Sequence, residues 1–249
     1  MNAAIKVMWS RQIKEYLRNK QRMITSLIQP LLYLIAFQFG IGGMFEKAGN
    51  GSYIQFLLPG IIGITILTSS VMNGMSLIWD KQFGFLKETL VAPVSRTGLL
   101  FGRCLGGATT STLQGVIILL LGFLIGFKPD SFLLIPLGIV IMFCMSLLFN
   151  LLGTSIASKF DDMQSFPMIM NFLVMPMMFL SGALFPISNF PEIIQSIAMI
   201  NPLTYCVDLL RYSLTNSGSF NLGLDILIIG TLITALGFIG TRLFNKLET

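Results

Sequence analysis

Six apolar runs, at 23–45, 54–79, 104–127, 132–157, 166–185 and 222–244, decide what this chain can fold into. Each is long enough to cross a hydrocarbon core about 30 Å thick as a helix, which takes roughly 20 residues. Asp225 interrupts the start of the last run. The composition agrees: 54% of the residues are hydrophobic and 11% charged, against about 25% charged in a soluble domain. The runs predict an all-α integral membrane protein with six spanning helices. The first 22 residues are polar and basic, too long for an n-region, and no small-residue cleavage site follows the first apolar run, so no signal peptide is expected.

Charge sets the expected orientation. Thirteen of the 16 Lys and Arg residues fall in the first 22 residues, around 80–103, at Lys159 and near the C-terminus, whereas only Lys47, Lys128 and Arg211 fall in the alternate segments. By the positive-inside rule both termini are cytoplasmic, and residues 1–249 form one membrane domain. The net charge of +5 therefore reads as topology. The basic residues are scattered and have no aromatic platform beside them, so nucleic acid is not an expected partner and membrane lipid is.

Residues 1–22 read as an amphipathic interface helix. Ile5, Trp9, Ile13 and Tyr16 share one face, and Arg11, Lys14, Arg18 and Arg22 share the other, which is expected to meet headgroups or a partner. Lys128-Pro129-Asp130-Ser131 reads as a tight turn. Two connections are long, and long connections in compact helical proteins usually serve a function. The inner one spans 80–103. Within it 86–91 can form a short helix ended by Ala92-Pro93, because proline disfavours helix in the residue before it. Phe83, Phe85, Leu86 and Leu90 interleave there with charges, the composition of a protein contact surface or of an interfacial loop anchored by Phe.

The outer one, 186–221, is too broken to cross a bilayer. Pro186 stops the fifth run, Pro191 opens a short helix at its N1 position, and Asn201-Pro202 separates it from a second. Thr204, Asp208, Arg211 and Thr215 form one stripe of the second helix, on which Asp208 and Arg211 can pair at i, i+3. Irregular backbone at membrane depth persists only when buried in protein or facing a wet cavity. The segment is thus expected to be a re-entrant hairpin, serving as an outer gate or lying flat as a surface hairpin.

Two stretches carry a family resemblance. One is Pro202-Leu203-Thr204-Tyr205, five residues, then Arg211, following Leu180-Ser181-Gly182-Ala183; the other is GFLKETLVAPVSR from Gly84 to Arg96. With the amphipathic start and the order of spans, the whole chain resembles type-2 ABC exporter permeases, such as daunorubicin-resistance, multidrug and polysaccharide-export permeases. The resemblance implies a prokaryotic inner-membrane subunit that pairs with a second permease chain, usually a copy of itself, and with two ATP-binding subunits. It implies that Gly84, Leu86, Lys87, Glu88, Pro93 and Arg96 couple to the ATPase. It further implies that Pro186, Pro191, Asn201, Pro202, Tyr205, Asp208 and Arg211 belong to the outer gate. The acid that heads the family's inner loop is matched only by Asp80.

No GxxxxGK[ST] occurs, and no glycine precedes a lysine. The chain is therefore expected to bind no cofactor of its own, with ATP and Mg on the partner. No histidine is present, and Cys104, Cys144 and Cys206 have no metal-ligand spacing. No catalytic set of polar residues stands out, so a membrane enzyme is disfavoured. No acid, lysine or arginine is expected deep in the spans, which argues against the alternative of an ATP-independent channel or secondary carrier. Gln38, Asn73, Gln114, Asn150 and Asn171 are amides within the runs. They read first as interhelical hydrogen bonds and second as lining of a pathway. The small residues 106–112 allow close helix approach, and Met168, Met170, Met175, Met177 and Met178 suit either filler or a surface for varied apolar ligands. With only five Tyr and two Trp, a drug-like molecule or lipid is the expected substrate class, ahead of a lipid-linked polysaccharide.

Overall fold

The structure, a computed structural model, describes residues 2–47, 51–85 and 95–245, and these form helices and turns without a strand. In chain order the helices are α1 Asn2–Arg18, α2 Lys20–Lys47, α3 Tyr53–Asn73, α4 Met75–Gln82, α5 Arg96–Ile125 and α6 Ile135–Ala157. They are followed by α7 Ser165–Phe179, α8 Glu192–Ile200, α9 Pro202–Thr215 and α10 Leu222–Asn245. Five stretches are long and apolar enough to cross a membrane: Met23–Lys47, Tyr53–Gln82, Arg96–Ile125, Phe132–Ala157 and Leu222–Asn245. The second of these runs through α3 and α4, joined at Gly74.

The fifth run departs from expectation. Its helix covers only 15 residues, Ser165–Phe179, about 22 Å at 1.5 Å per residue, less than the hydrocarbon core. Pro176 lies in its last turn and cannot donate a backbone hydrogen bond. Beyond Leu180 the chain turns, with Gly182 at φ +74°. The unwound residues Ser181, Ala183 and Leu184 are nonetheless buried. The outer hairpin is present as two short helices, α8 and α9, meeting at 85°. Pro191 precedes α8 at its N-cap, one residue earlier than expected, and Pro202 opens α9.

α3 is the central post. It is apolar on all sides and packs against α2, α5, α6, α7 and α9, with Leu57, Leu58, Ile61, Ile62, Ile66 and Leu67 fully buried. α2 and α10 lie at the periphery and expose Phe39, Met44, Leu227 and Phe238. Ser95 caps α5, its hydroxyl accepting from the Gly98 N–H at 3.3 Å, and Gly126 at φ +108° ends that helix. The turn that follows is short, as expected, and its Asp130 N–H bonds the Leu214 carbonyl of α9 at 3.1 Å.

Close approach depends on glycine at a few places. A Cβ on Gly60 of α3 would overlap the Ala183 carbonyl in the unwound segment after α7. Backbone there cannot yield as a side chain can. Gly60→Ala is expected to destabilise the protein by about 1–3 kcal/mol. Gly230→Ala, which meets nothing within 4 Å, is expected to be neutral or slightly stabilising. Thermal unfolding of both variants in nanodiscs checks this, and equal shifts would reject the close-approach explanation.

Candidate functional site

The bundle has two polar ends. At the end that carries the termini, α4 delivers Asp80 into a buried position. Its carboxylate accepts from Arg11 Nη2 of α1 at 2.9 Å and from the Arg103 guanidinium of α5. Arg103, itself buried, also donates to Ser76 Oγ at 2.9 Å. The next residue, Lys81, donates to the Ser158 and Phe160 carbonyls at 2.7 and 3.0 Å and pairs with Asp161 at 3.1 Å. Those carbonyls lie at and just beyond the C-terminus of α6, where a cation is favoured by the helix dipole. Arg96 Nη1 bonds the Asn245 carbonyl at 2.9 Å. The last turn of α4 is thus fastened to α1, α5 and the α6–α7 turn together. In that turn the Asp162 carboxylate accepts from the N–H of Ser165, the first residue of α7, at 3.1 Å. Hydrogen bonds from the Ser165 hydroxyl, and then from the Gln164 N–H, hold that carboxyl below the ordinary aspartate range.

Arg11, on the face expected to meet headgroups or a partner, reaches Asp80 of its own chain. α1 packs across α5, burying Met8 and Tyr16, while Trp9 lies at the edge and donates from Nε1 to Thr109 Oγ1 at 3.0 Å. Glycines make this crossing possible. A Cβ at Gly102 would come within 2.9 Å of Ile5 O, and one at Gly106 within 2.6 Å of Gln12 Cβ. Lys14 and Arg18 remain exposed, as expected of the basic face.

Trp79, Phe83 and Phe85 are exposed beside this network, and Gly84 adopts φ +78° with open space around it. With Arg11, Glu15 and Asp80 these aromatics line an open groove of about 520 Å³. Of the predicted coupling residues, Gly84 stands between Phe83 and Phe85, and Arg96 opens α5, bonded to Asn245. Leu86, Lys87, Glu88 and Pro93, with the short helix expected at 86–91, lie outside the described residues.

At the opposite end α9 caps the bundle. The stripe Thr204, Asp208, Arg211 and Thr215 is buried, and so is the apolar side of the helix. The expected Asp208–Arg211 pairing does not form. Arg211 donates to the Gly182 carbonyl at 2.7 Å, to Ala183 at 3.4 Å and to Phe56 at 3.3 Å, with its guanidinium 3.7 Å from the centre of the Phe56 ring. Asp208 accepts instead from the Ser219 and Phe220 N–H groups at 2.7 and 3.0 Å. These backbone groups outcompete the i, i+3 pair because buried, unpaired carbonyls and amides are costly. Asn201 caps α9 through Oδ1 to the Leu203 N–H at 3.0 Å, and its Nδ2 bonds Met177 O at 2.7 Å. Tyr205 bonds the Met199 carbonyl, and Thr204 bonds Ala198 O at 2.7 Å. The hairpin is therefore laced to α3, to the end of α7 and to itself. α8 by contrast exposes Ile193, Ile197 and Ile200.

The amides divide. Asn73 Nδ2 reaches Gly107 O, Ser111 Oγ and Asn150 Oδ1 at 3.3–3.4 Å, joining α3, α5 and α6. Gln114 Nε2 donates to Ser26 Oγ of α2 at 3.1 Å. These three amides hold helices together. Gln38 is half-buried, and Asn171 faces outward from α7 beside Met168 and Met175. Sequence reasoning passed over Tyr53, whose hydroxyl bonds Leu184 O at 2.9 Å, and Phe56 beneath Arg211. It also passed over the Gly102–Gly106 spacing, a small-xxx-small pattern that was legible. Arg103 in the first third of α5, Asp225 in the first turn of α10 and Arg211 in the hairpin are buried.

A family model described as ABC-2 type transporter matches residues 3–215. The chain is 33% identical over 225 residues to the protein ycf38 of Pyropia yezoensis, covering 84% of this chain and 72% of that one. It is 27% identical over 212 residues to the inner membrane transport permease YadH of Escherichia coli (strain K12), covering 84% and 82%. Nodulation protein J of Rhizobium leguminosarum bv. viciae is 24% identical over 239 residues, covering 94% and 92%.

Proposed function

The chain belongs to the ABC-2 type transporter family, and from this premise we propose that it is the membrane subunit of an ATP-driven exporter. The observation that carries the reading is Asp80. Its two arginine partners make the end of α4 continuous with α1 and α5, so force on the segment after α4 is passed to three helices at once. An ATP-binding subunit seated against the groove at Phe83 and Phe85 supplies that force. α9 is the outer gate, and its ties to backbone carbonyls at Gly182 and Phe56 are what opening exchanges for other partners. Two permease copies and two ATP-binding subunits form the working unit in a prokaryotic inner membrane. Both termini are cytoplasmic, and ATP and Mg are held by the partner. The substrate is a hydrophobic or amphipathic molecule, drug-like or lipid, in keeping with the Phe- and Met-rich spans.

The test is co-assembly in nanodiscs with an ATP-binding subunit encoded beside this chain. Hydrolysis is expected from the complex and not from this chain alone. Glu88→Ala is expected to lower stimulated hydrolysis several-fold while the thermal midpoint of the permease stays put. Unchanged hydrolysis in that variant would reject the coupling role of the 84–96 segment.

A further inference from the structure

A cavity of about 160 Å³ lies between α1, α2, α3 and α5. At roughly 30 Å³ per water it holds the volume of about five waters, and it is smaller than the 300 Å³ or more of a drug-sized site. Its floor is buried: Thr65, Thr110 and Gln114 are each less than a tenth exposed. Its mouth is open, because Gln29 is exposed and Tyr33, Thr68 and Ser69 are only partly covered. A head group fits inside, and whatever is attached to it must leave through the mouth beside α2.

The floor and the mouth differ: at the mouth the Tyr33 hydroxyl accepts from Gln29 Nε2 at 3.0 Å and keeps its own proton to give, whereas the floor offers acceptors. Thr65, Thr68 and Thr110 donate their hydroxyl protons to Ile61, Ile64 and Gly107 carbonyls at 2.7–2.9 Å. What each hydroxyl has left to offer is lone pairs. Gln114 spends its Nε2 on Ser26, and its buried Oε1 has no partner. An orphaned buried acceptor of this kind is rare and costs about 1–3 kcal/mol. The floor therefore asks for hydrogen-bond donors, and a hydroxyl, which gives one proton and accepts others, suits floor and mouth together. None of the described residues lining it is charged, so a cation or anion entering it loses hydration without a counter-charge.

We propose that this cavity is a binding site for the neutral, hydroxyl-bearing head of an amphiphile, held by Gln114 Oε1 and the threonine oxygens while its apolar tail lies along α2. A glycerol head and a sugar head share that chemistry. The proposal deepens the exporter reading by placing one substrate-class contact within a single permease chain.

The test is equilibrium binding to the full-length chain alone in nanodiscs, read by native mass spectrometry. The probes are 1,2-dioctanoylglycerol, octyl glucoside below its micelle concentration, and dioctanoylglycerol with its hydroxyl acetylated. At least one hydroxylated probe is expected to bind about tenfold more tightly than the acetylated one, the worth of one buried hydrogen bond. Which one does so identifies the head. Gln114→Leu is expected to erase that difference, and Thr68→Leu, at the half-buried mouth, to weaken both hydroxylated probes. If Gln114→Leu does not fold, the wild-type comparison and Thr68→Leu still decide. Equal binding of capped and free probes, or binding indifferent to Thr68→Leu, overturns the site and leaves water as its occupant. The measurement needs no ATPase, so its failure leaves the exporter reading standing. Binding without any ATP-dependent transport would strike that reading alone.

Discussion

Asp80→Ala is expected to be the most damaging single change at the charged end, destabilising the protein by about 3–5 kcal/mol. The loss comes mainly from Arg103, which is buried and would keep its charge without a carboxylate. Arg11 contributes less, because its side chain is 40% exposed and exposed pairs are worth about 0–1 kcal/mol. The rescue is diagnostic. Asp80→Ala combined with Arg103→Met removes the stranded charge and is expected to recover most of the loss, since replacing a whole buried pair by apolar groups is often neutral. Thermal unfolding of the single and double variants reads this directly. A double variant no more stable than Asp80→Ala would mean that the carboxylate acts by something other than neutralising Arg103.

At the opposite end, Arg211→Leu is expected to cost about 3 kcal/mol or more, since it orphans buried carbonyls at roughly 1–3 kcal/mol each. Gly182, Ala183 and Phe56 would lose their donor at once. Asp208→Asn is expected to act by a separate route, loosening the Ser219–Phe220 turn. Arg211→Lys keeps the charge and lacks the planar fork, so it should recover only part of the loss. Stability in nanodiscs and protease sensitivity near residues 180–186 report both. Full rescue by lysine would show that charge alone, and not the forked geometry, holds α9 in place.

These two sites also show what the sequence could convey. The spans were legible because lipid imposes one rule on every residue: an apolar side chain and a backbone bonded within its own helix. The hairpin was legible because Pro186, Pro191 and Pro202 forbid a continuous helix there. The partners of its charges were not. Arg211 stands three residues after Asp208, and spacing alone suggests a pair. Two of the true partners, Gly182 and Ala183, are carbonyls in the unwound segment after α7, which packs Ala183 on Gly60, and neither is visible from spacing alone. Asp80 looked like an isolated acid at the head of a loop, because Arg11 and Arg103 are 69 and 23 residues away. The apolar face of α1 was placed about one position off. What orients that helix is the flat track of Gly102 and Gly106 on α5, which a reading of α1 by itself does not contain. Asn73, Gln114 and Asn150 were legible as ties between helices, and each makes or receives a bond that joins helices.

The claim that joins the two ends is that ATP turnover at the charged end opens the α9 cap at the other. Thr204 is 2% exposed on the polar stripe of α9. Thr204→Cys, in a chain whose three native cysteines are replaced, is to be probed with a membrane-impermeant maleimide in proteoliposomes that carry the complete complex. Labelling is expected to be slow without ATP, to accelerate during turnover, and to slow again when Glu88→Ala is added. Labelling at one rate with and without ATP would contradict the account, because the cap would then not move with the cycle.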